Sequence, residues 1–192
     1  MTEDQAGTPA GAQVGEGVGP DGMLLARVTH LDMTAPPPAR VPMPLGHALA
    51  VLRVKDMPLA FYRYLYAEVG KASHWEKHRD LDDAALAAIV HADDVEIRVL
   101  YVDGAPAGFF ELDLARLPDE ADIRYFGLTP DFQGRGLARF FLSEAVLAAF
   151  AHGPARLTIQ TCTLDNPRAL QLYQRIGFSP YAWSQDRVTP WL

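Results

Sequence analysis

The chain has 192 residues, and 24 acidic side chains against 17 basic ones give a formal charge of −7. That length suits one domain able to bury a core, and the acidic balance argues against a nucleic-acid-binding module, whose phosphate contacts need clustered Lys and Arg. With 49% apolar residues, no run near the ~20 needed to span a bilayer, no basic and apolar leader after Met1, and a single cysteine, Cys162, the expectation is a cytoplasmic globular protein without a disulfide or a Cys-rich metal site.

Residues 1–22 hold six of the 15 glycines and almost no large apolar side chain, which predicts a disordered tail. Residues 23–47 read as an arm laid across the domain surface: an extended piece, Met23 to Met33, then a stiff stretch with Pro36-Pro37-Pro38, Pro42 and Pro44. The domain proper is expected over 48–192. Ala48 to Lys55 predicts a strand, and Asp56 a cap for a helix with Phe61, Leu65 and Val69 on its apolar side and Gly70 at its end. After a basic, aromatic connector, Lys71 to Arg79, Asp80 is the expected cap of a second helix with Leu81, Ala85 and Ile89 on one side.

Three strands should follow: Val95 to Val102, Ala107 to Leu114 across an Asp103-Gly104 hairpin turn, and Asp122 to Leu128. The last leads through Thr129-Pro130 and Gln133-Gly134-Arg135-Gly136 into a long helix reaching about Ala151, with Leu137, Phe141, Ala145 and Ala148 on its apolar face. Arg156 to Thr163 is a strand, Asn166-Pro167 opens a helix that Gly177 ends, and the rest to Trp191 is extended. This order predicts an α/β chain of the α+β type with a mixed, largely antiparallel sheet, not a doubly wound parallel one.

Two segments carry chemistry. At the strand-to-helix junction, free backbone N–H groups and the positive end of the helix dipole can bind an anion, the glycines admitting a phosphate close to the main chain and Arg135 adding a charge-assisted contact. The same residues also fit a tight turn with no ligand. Arg139 stands where a dinucleotide fingerprint needs its third glycine, and no Gly-Lys-Ser/Thr follows as a P-loop requires. In the second segment Asn166 caps a helix, Ala169 and Tyr173 share a face, and Gly177 precedes Phe178. Tyr173 by itself reads as a core or rim aromatic.

Together the two segments resemble the GNAT acyltransferase superfamily. Its pattern Gln/Arg-x-x-Gly-x-Gly/Ala is matched by Gln133, Gly136 and Ala138, and its later Asn, Ala, Tyr and Gly-Phe by Asn166, Ala169, Tyr173, Gly177 and Phe178. The resemblance covers about Ala48 to Trp191 and implies a sheet with helices on both faces. It also implies acetyl-CoA as co-substrate and no metal. The pyrophosphate would sit on the backbone of Gln133, Gly134, Arg135, Gly136, Leu137 and Ala138. The pantetheine arm would run beside Phe126, Gly127 and Leu128 within reach of Asn166, and the Leu128 N–H is a candidate oxyanion donor.

An amine attacks a thioester only after losing a proton, and an ammonium of pKa about 10 needs a base, while the departing thiolate benefits from an acid. By the resemblance Tyr173 is that acid. Asp122 holds the position of the carboxylate that histone-modifying members carry, and Glu111, a charge among apolar residues in Phe109-Phe110-Glu111-Leu112, is the other candidate base; each also fits an ordinary strand carboxylate. The aromatic first helix and connector, with Phe61, Tyr62, Tyr64, Tyr66, His74, Trp75, His78 and Arg79, would select the acceptor, though most of these fit a core side and a solvated connector. His74, Glu76 and His78 lack a further ligand set for a metal, and Cys162 reads as a buried, inert thiol.

The reading is an acetyl-CoA-dependent N-acetyltransferase moving an acetyl group to a primary amine of a small molecule or peptide. No nucleic acid and no membrane partner is expected, and the resemblance admits a homodimer. The rivals are an acyl-CoA-binding sensor of the same fold without catalysis, and an interaction module working through the tail and arm. The charge is local: four of the acidic residues lie in 1–22 with no Lys or Arg, leaving 20 acidic against 17 basic residues over 23–192.

Overall fold

A computed structural model describes residues 17–191. Its elements are β1 (Gly17–Val18), β2 (Leu24–Met33), β3 (Leu49–Val54), α1 (Leu59–Gly70), α2 (Asp83–Val90), β4 (Val95–Val102), β5 (Ala105–Asp113), β6 (Glu120–Leu128), α3 (Leu137–Phe150), β7 (Arg156–Cys162), α4 (Ala169–Ile176) and β8 (Ser179–Val188). Short 3₁₀ turns at Lys71–Ser73 and Pro130–Phe132 lead out of α1 and out of β6. The strands form one mixed sheet in the path β2-β7-β6-β5-β4-β3, antiparallel except for β6 beside β7.

β8 and β1 both pair with Leu24 and Leu25 of β2, so they occupy its opposite edges. The expectation that Met23 to Met33 lies across the surface is therefore corrected. β2 pairs with β7 from Val28 to Met33 and with β8 from Leu24 to Asp32, and alternation buries Leu31 and Met33 against α3 and α4. Tail residues 1–16 lie outside the described residues; within the expected tail, Gly17 and Val18 pair with β2.

The sheet separates two cores. On one face Phe110, Leu112, Ile123 and Leu128 pack with Phe141, Ala145 and Ile176 from α3 and α4. On the other, Ile97, Val99, Phe109 and Tyr125 meet Tyr62, Leu65, Tyr66 and Leu86 from α1 and α2. The hairpin at Asp103-Gly104 forms with both residues at positive φ, and the Asp103 carboxylate accepts the Ala48 N–H at 2.8 Å.

Helix starts and stripes depart from expectation. α1 begins after an extended Pro58 with no side-chain cap, so Asp56 lies too far upstream to serve. Asp82 caps α2 instead of Asp80, accepting the Ala85 N–H at 2.8 Å, and the buried pair is Leu86 and Val90, one residue out of phase with Leu81, Ala85 and Ile89. α4 begins at Ala169, because Asn166 instead closes an Asx turn, its Oδ1 accepting the Arg168 N–H at 3.0 Å.

Candidate active site

The site begins where the sheet comes apart. β6 and β7 pair only from Glu120 opposite Arg156 to Ile123 opposite Ile159. The β5–β6 register skips Arg124 between Ile123 and Tyr125, a bulge that bends β6 away at the point where its ladder to β7 stops. Beyond it β6 keeps only β5 as a neighbour. The Thr129 N–H donates to Ala107 O across that pair, so by alternation the main-chain groups of Phe126 and Leu128 face the open edge.

A cavity of about 710 Å³ fills this split, lined on the β6 side by Tyr125 and Phe126, on the β7 side by Ile159 and Thr161, and capped by the connector around Trp75 and His78. Gly127 lets α1 close over β6: a Cβ there would stand 2.3 Å from Val69 Cγ1.

Beyond β6 the chain makes a cradle. Gly134 and Gly136 take φ of +73° and +77° with open space around their Cα atoms, so these positions demand glycine for conformation and not for room. Among the described residues no carbonyl accepts a backbone N–H from Gly134 to Ala138, and those groups open at the start of α3. The exposed Arg135 guanidinium lies 5.0 Å from the Phe132 ring. Gln133 behaves differently: its N–H donates to Pro130 O and its side-chain amide to Leu128 O at 3.0 Å, so it braces the loop against the strand.

α4 supplies the opposite wall. Asp165 accepts the Cys162 N–H at 2.8 Å and the Thr161 hydroxyl at 2.9 Å, and the turn it anchors leaves the Asn166 side-chain NH₂ without a partner among the described residues. Tyr173 is buried beside Phe126 and Phe178, with its edge on the cavity. Burial, helped by Asp165, pushes its phenol upward, so it keeps its proton throughout the physiological range. Burial and the same Asp165 push the Cys162 thiol up to about 11, as suits an inert sulfhydryl.

The carboxylates sit on the face covered by α1. Asp122 lines the cavity, accepts the Thr158 hydroxyl at 2.8 Å and is raised by burial. Asp113 is paired with Arg124. Glu111 neither faces solvent nor lines the cleft: it is fully buried, Oε2 accepts the Tyr62 hydroxyl at 2.7 Å, Oε1 has no partner, and burial pushes its pKa up to about 7. Tyr62 also meets His78 Nδ1 at 2.7 Å, and Tyr66 accepts the His78 backbone N–H at 3.2 Å. Burial pushes the imidazole down to about 4, so it is neutral.

The structure thus sets Phe126, Tyr173 and Asp122 on one cavity, with Asn166 next to its lining residue Asp165. Gly127 and Leu128 continue its β6 wall to the cradle at 134–138, and Glu111 is held behind that wall. Tyr62 and His78 were expected within the aromatic set that would select the acceptor, with no link to Glu111; the signal for that link was Tyr62 and Tyr66 one turn apart on the helix face that meets Glu111. Among the described residues there is no cluster of three or more potential metal ligands, and no helix is long and apolar enough to cross a membrane.

A mixed sheet that opens between its two parallel strands above a helix N-terminus is the architecture of the GNAT acyltransferase fold. The profile of the Acetyltransferase (GNAT) family matches residues 56–178, and the chain belongs to that family. Solved structures agree on the fold. A putative GNAT acetyltransferase from Novosphingobium aromaticivorans superposes with a TM-score of 0.57 at 17% identity, covering 84% of this chain and 62% of that one. For a GCN5-related N-acetyltransferase from Kribbella flavida the values are 0.57, 18%, 86% and 58%. For the ribosomal-protein-S18-alanine N-acetyltransferase of Escherichia coli they are 0.56, 19%, 70% and 80%. This chain therefore spans about six-tenths of the length of the first two. No curated protein matches it.

Proposed function

We propose that the protein is an acetyl-CoA-dependent N-acetyltransferase that moves an acetyl group directly to a primary amine of a small molecule or peptide. The observation that carries this is the split sheet, whose unpaired β6 edge leads straight to the unpaired N–H groups of Gly134 to Ala138. An extended amide-bearing arm satisfies the edge, and a pyrophosphate satisfies the helix start.

Acetyl-CoA supplies the acyl thioester. The backbone of residues 134–138, with Arg135, holds phosphate. The main-chain groups of Phe126 pair with the arm as an added strand would, and the Asn166 amide donates to it. The Leu128 N–H, fixed by the β5–β6 ladder, is a preorganised donor for a developing oxyanion. Tyr173 keeps its proton and presents it to the leaving sulfur; a phenol that holds its proton this firmly acts through placement. Five carboxylates against three Lys and Arg side chains line the cavity, which favours a cationic acceptor.

Isothermal titration with acetyl-CoA, alongside thiol release with a panel of primary amines, tests the reading. Wild type binds and turns over, and Gly136→Glu, which sets a negative charge in the phosphate cradle at a strained φ, loses binding. Unchanged binding by that variant refutes the cradle. Binding with no amine-dependent thiol release identifies a sensor instead of an enzyme.

A further inference from the structure

The candidate bases divide oddly: Asp122 reaches the cavity but is tied to Thr158, and Glu111 is sealed from it. His78 lies between. It borders the 710 Å³ cavity and a second one of about 160 Å³ that also touches Tyr62 and Trp191. Tyr62 Oη has one proton, and an ionised Glu111 beside it can only accept, so in that state the Tyr62 hydroxyl donates to Glu111 and accepts from His78 Nδ1–H. With Glu111 ionised, the imidazole is then the neutral Nδ1–H tautomer. Among the described residues its Nε2 has no hydrogen-bond partner, and the His78 side chain borders both cavities.

We infer that His78, Tyr62 and Glu111 form a proton wire in which His78 Nε2 takes the proton of the acceptor ammonium and Glu111 stores it. This rests on the N-acetyltransferase reading above. In one concerted shift an N–H bond of the ammonium breaks and its proton joins Nε2. The Nδ1 proton passes to Tyr62 Oη, and the Tyr62 proton passes to Glu111 Oε2. The products are a neutral amine with a free lone pair, a neutral Nε2–H imidazole, an intact phenol and a carboxylic acid; no electron changes hands. Reversal of the shift, with water in either cavity taking the proton from Nε2, resets the wire.

The electrostatics favour this destination. His78 is too weak a base to hold the proton, because burial, Arg124 and Lys77 all disfavour its cation, whereas the Glu111 carboxyl binds a proton near neutrality. Glu111 is faced by Tyr62 and Tyr66 from α1, Tyr125, Arg124 and Asp122 from β6, and Asp113 on its own strand. Burial outweighs the lowering by Tyr62 and Arg124, and the two aspartates add to the rise. His78 is the group that would touch substrate; Tyr62 and Glu111 act through it.

The test compares wild type with Glu111→Gln, Tyr62→Phe and His78→Gln. The variants are checked for fold by circular dichroism and for acetyl-CoA binding by titration, then assayed for amine-dependent thiol release against pH. The amide introduced by Glu111→Gln still accepts the Tyr62 hydroxyl but cannot take its proton, and His78→Gln leaves the Tyr62–Glu111 bond intact. Each variant should keep acetyl-CoA affinity, lose kcat by about 10²-fold or more, and lose the acidic limb that wild type shows near pH 7. Imidazole ¹⁵N shifts, read without turnover at about pH 9, where Glu111 is ionised, should show His78 as the Nδ1–H tautomer in wild type and lose that preference in Tyr62→Phe. Wild-type turnover with the limb retained in the variants overturns the wire alone, as does an Nε2–H tautomer. A wild type that binds acetyl-CoA yet acetylates no amine overturns the enzyme reading and the wire with it.

Discussion

Glu111→Gln should raise stability at alkaline pH, an outcome independent of catalysis. The wild-type carboxyl is fully buried, and its pKa rises from an ordinary 4.5 to about 7. Below the unfolded value the group is protonated in both states. Between the two values only the unfolded chain ionises, so stability falls as pH rises, and above the folded value the loss is complete. At about 1.36 kcal/mol per pH unit, the interval corresponds to about 3 kcal/mol, a large part of a domain's net stability. Glutamine keeps the hydrogen bond from Tyr62 and never ionises. Urea unfolding of both proteins at about pH 5 and about pH 8.5 therefore isolates the group, since the other titrations cancel in the difference. The advantage of Gln should grow by about 2–3 kcal/mol from the lower to the higher pH. Parallel stabilities at the two pH values would refute the reasoning, because they would mean that the carboxylate is hydrated or paired and its burial carries no penalty.

Tyr173→Phe should lower kcat by about 10²-fold or more while leaving acetyl-CoA affinity within a few-fold, as single-turnover kinetics beside a titration would show. Gly127→Ala should destabilise by about 1–3 kcal/mol, because its methyl group meets Val69 Cγ1. Adding Val69→Ala should recover part of that loss, which a double-mutant cycle by thermal unfolding measures.

What the sequence revealed followed the range of the interactions involved. The strand-to-helix junction was legible because Gly134 and Gly136 act within a few residues of their own position, and their positive φ is a local demand. The hairpin at Asp103-Gly104 was legible for the same reason. The cap of α2 moved by two residues and its buried stripe by one, because Asp80 and Asp82 are equivalent caps in sequence and only packing of Leu86 and Val90 decides between them. Glu111 could be placed on a strand face by alternation, but what covers that face depends on α1. Its partner Tyr62 lies 49 residues upstream, and no local pattern encodes such a pairing. His78 is similarly remote, 16 residues from the hydroxyl it meets.

The segment read as a surface arm bears on how the sheet can be split. A cleft between β6 and β7 removes ladder bonds from the middle of the sheet, and β7 keeps only four register pairs with β6. Those four leave Gln160, Thr161 and Cys162 of the seven-residue strand without a β6 partner. β2 supplies six more pairs to β7 and buries Leu31 and Met33 in the core beside α3 and α4, while Ala26 and Val28 line the cavity. β2 lies outside residues 56–178, the span matched by the family profile, as does β8 on its far edge. The open cleft is thus held from beyond the matched span: the N-terminal segment compensates for the pairing that β6 gives up, and it forms part of the cavity wall that results.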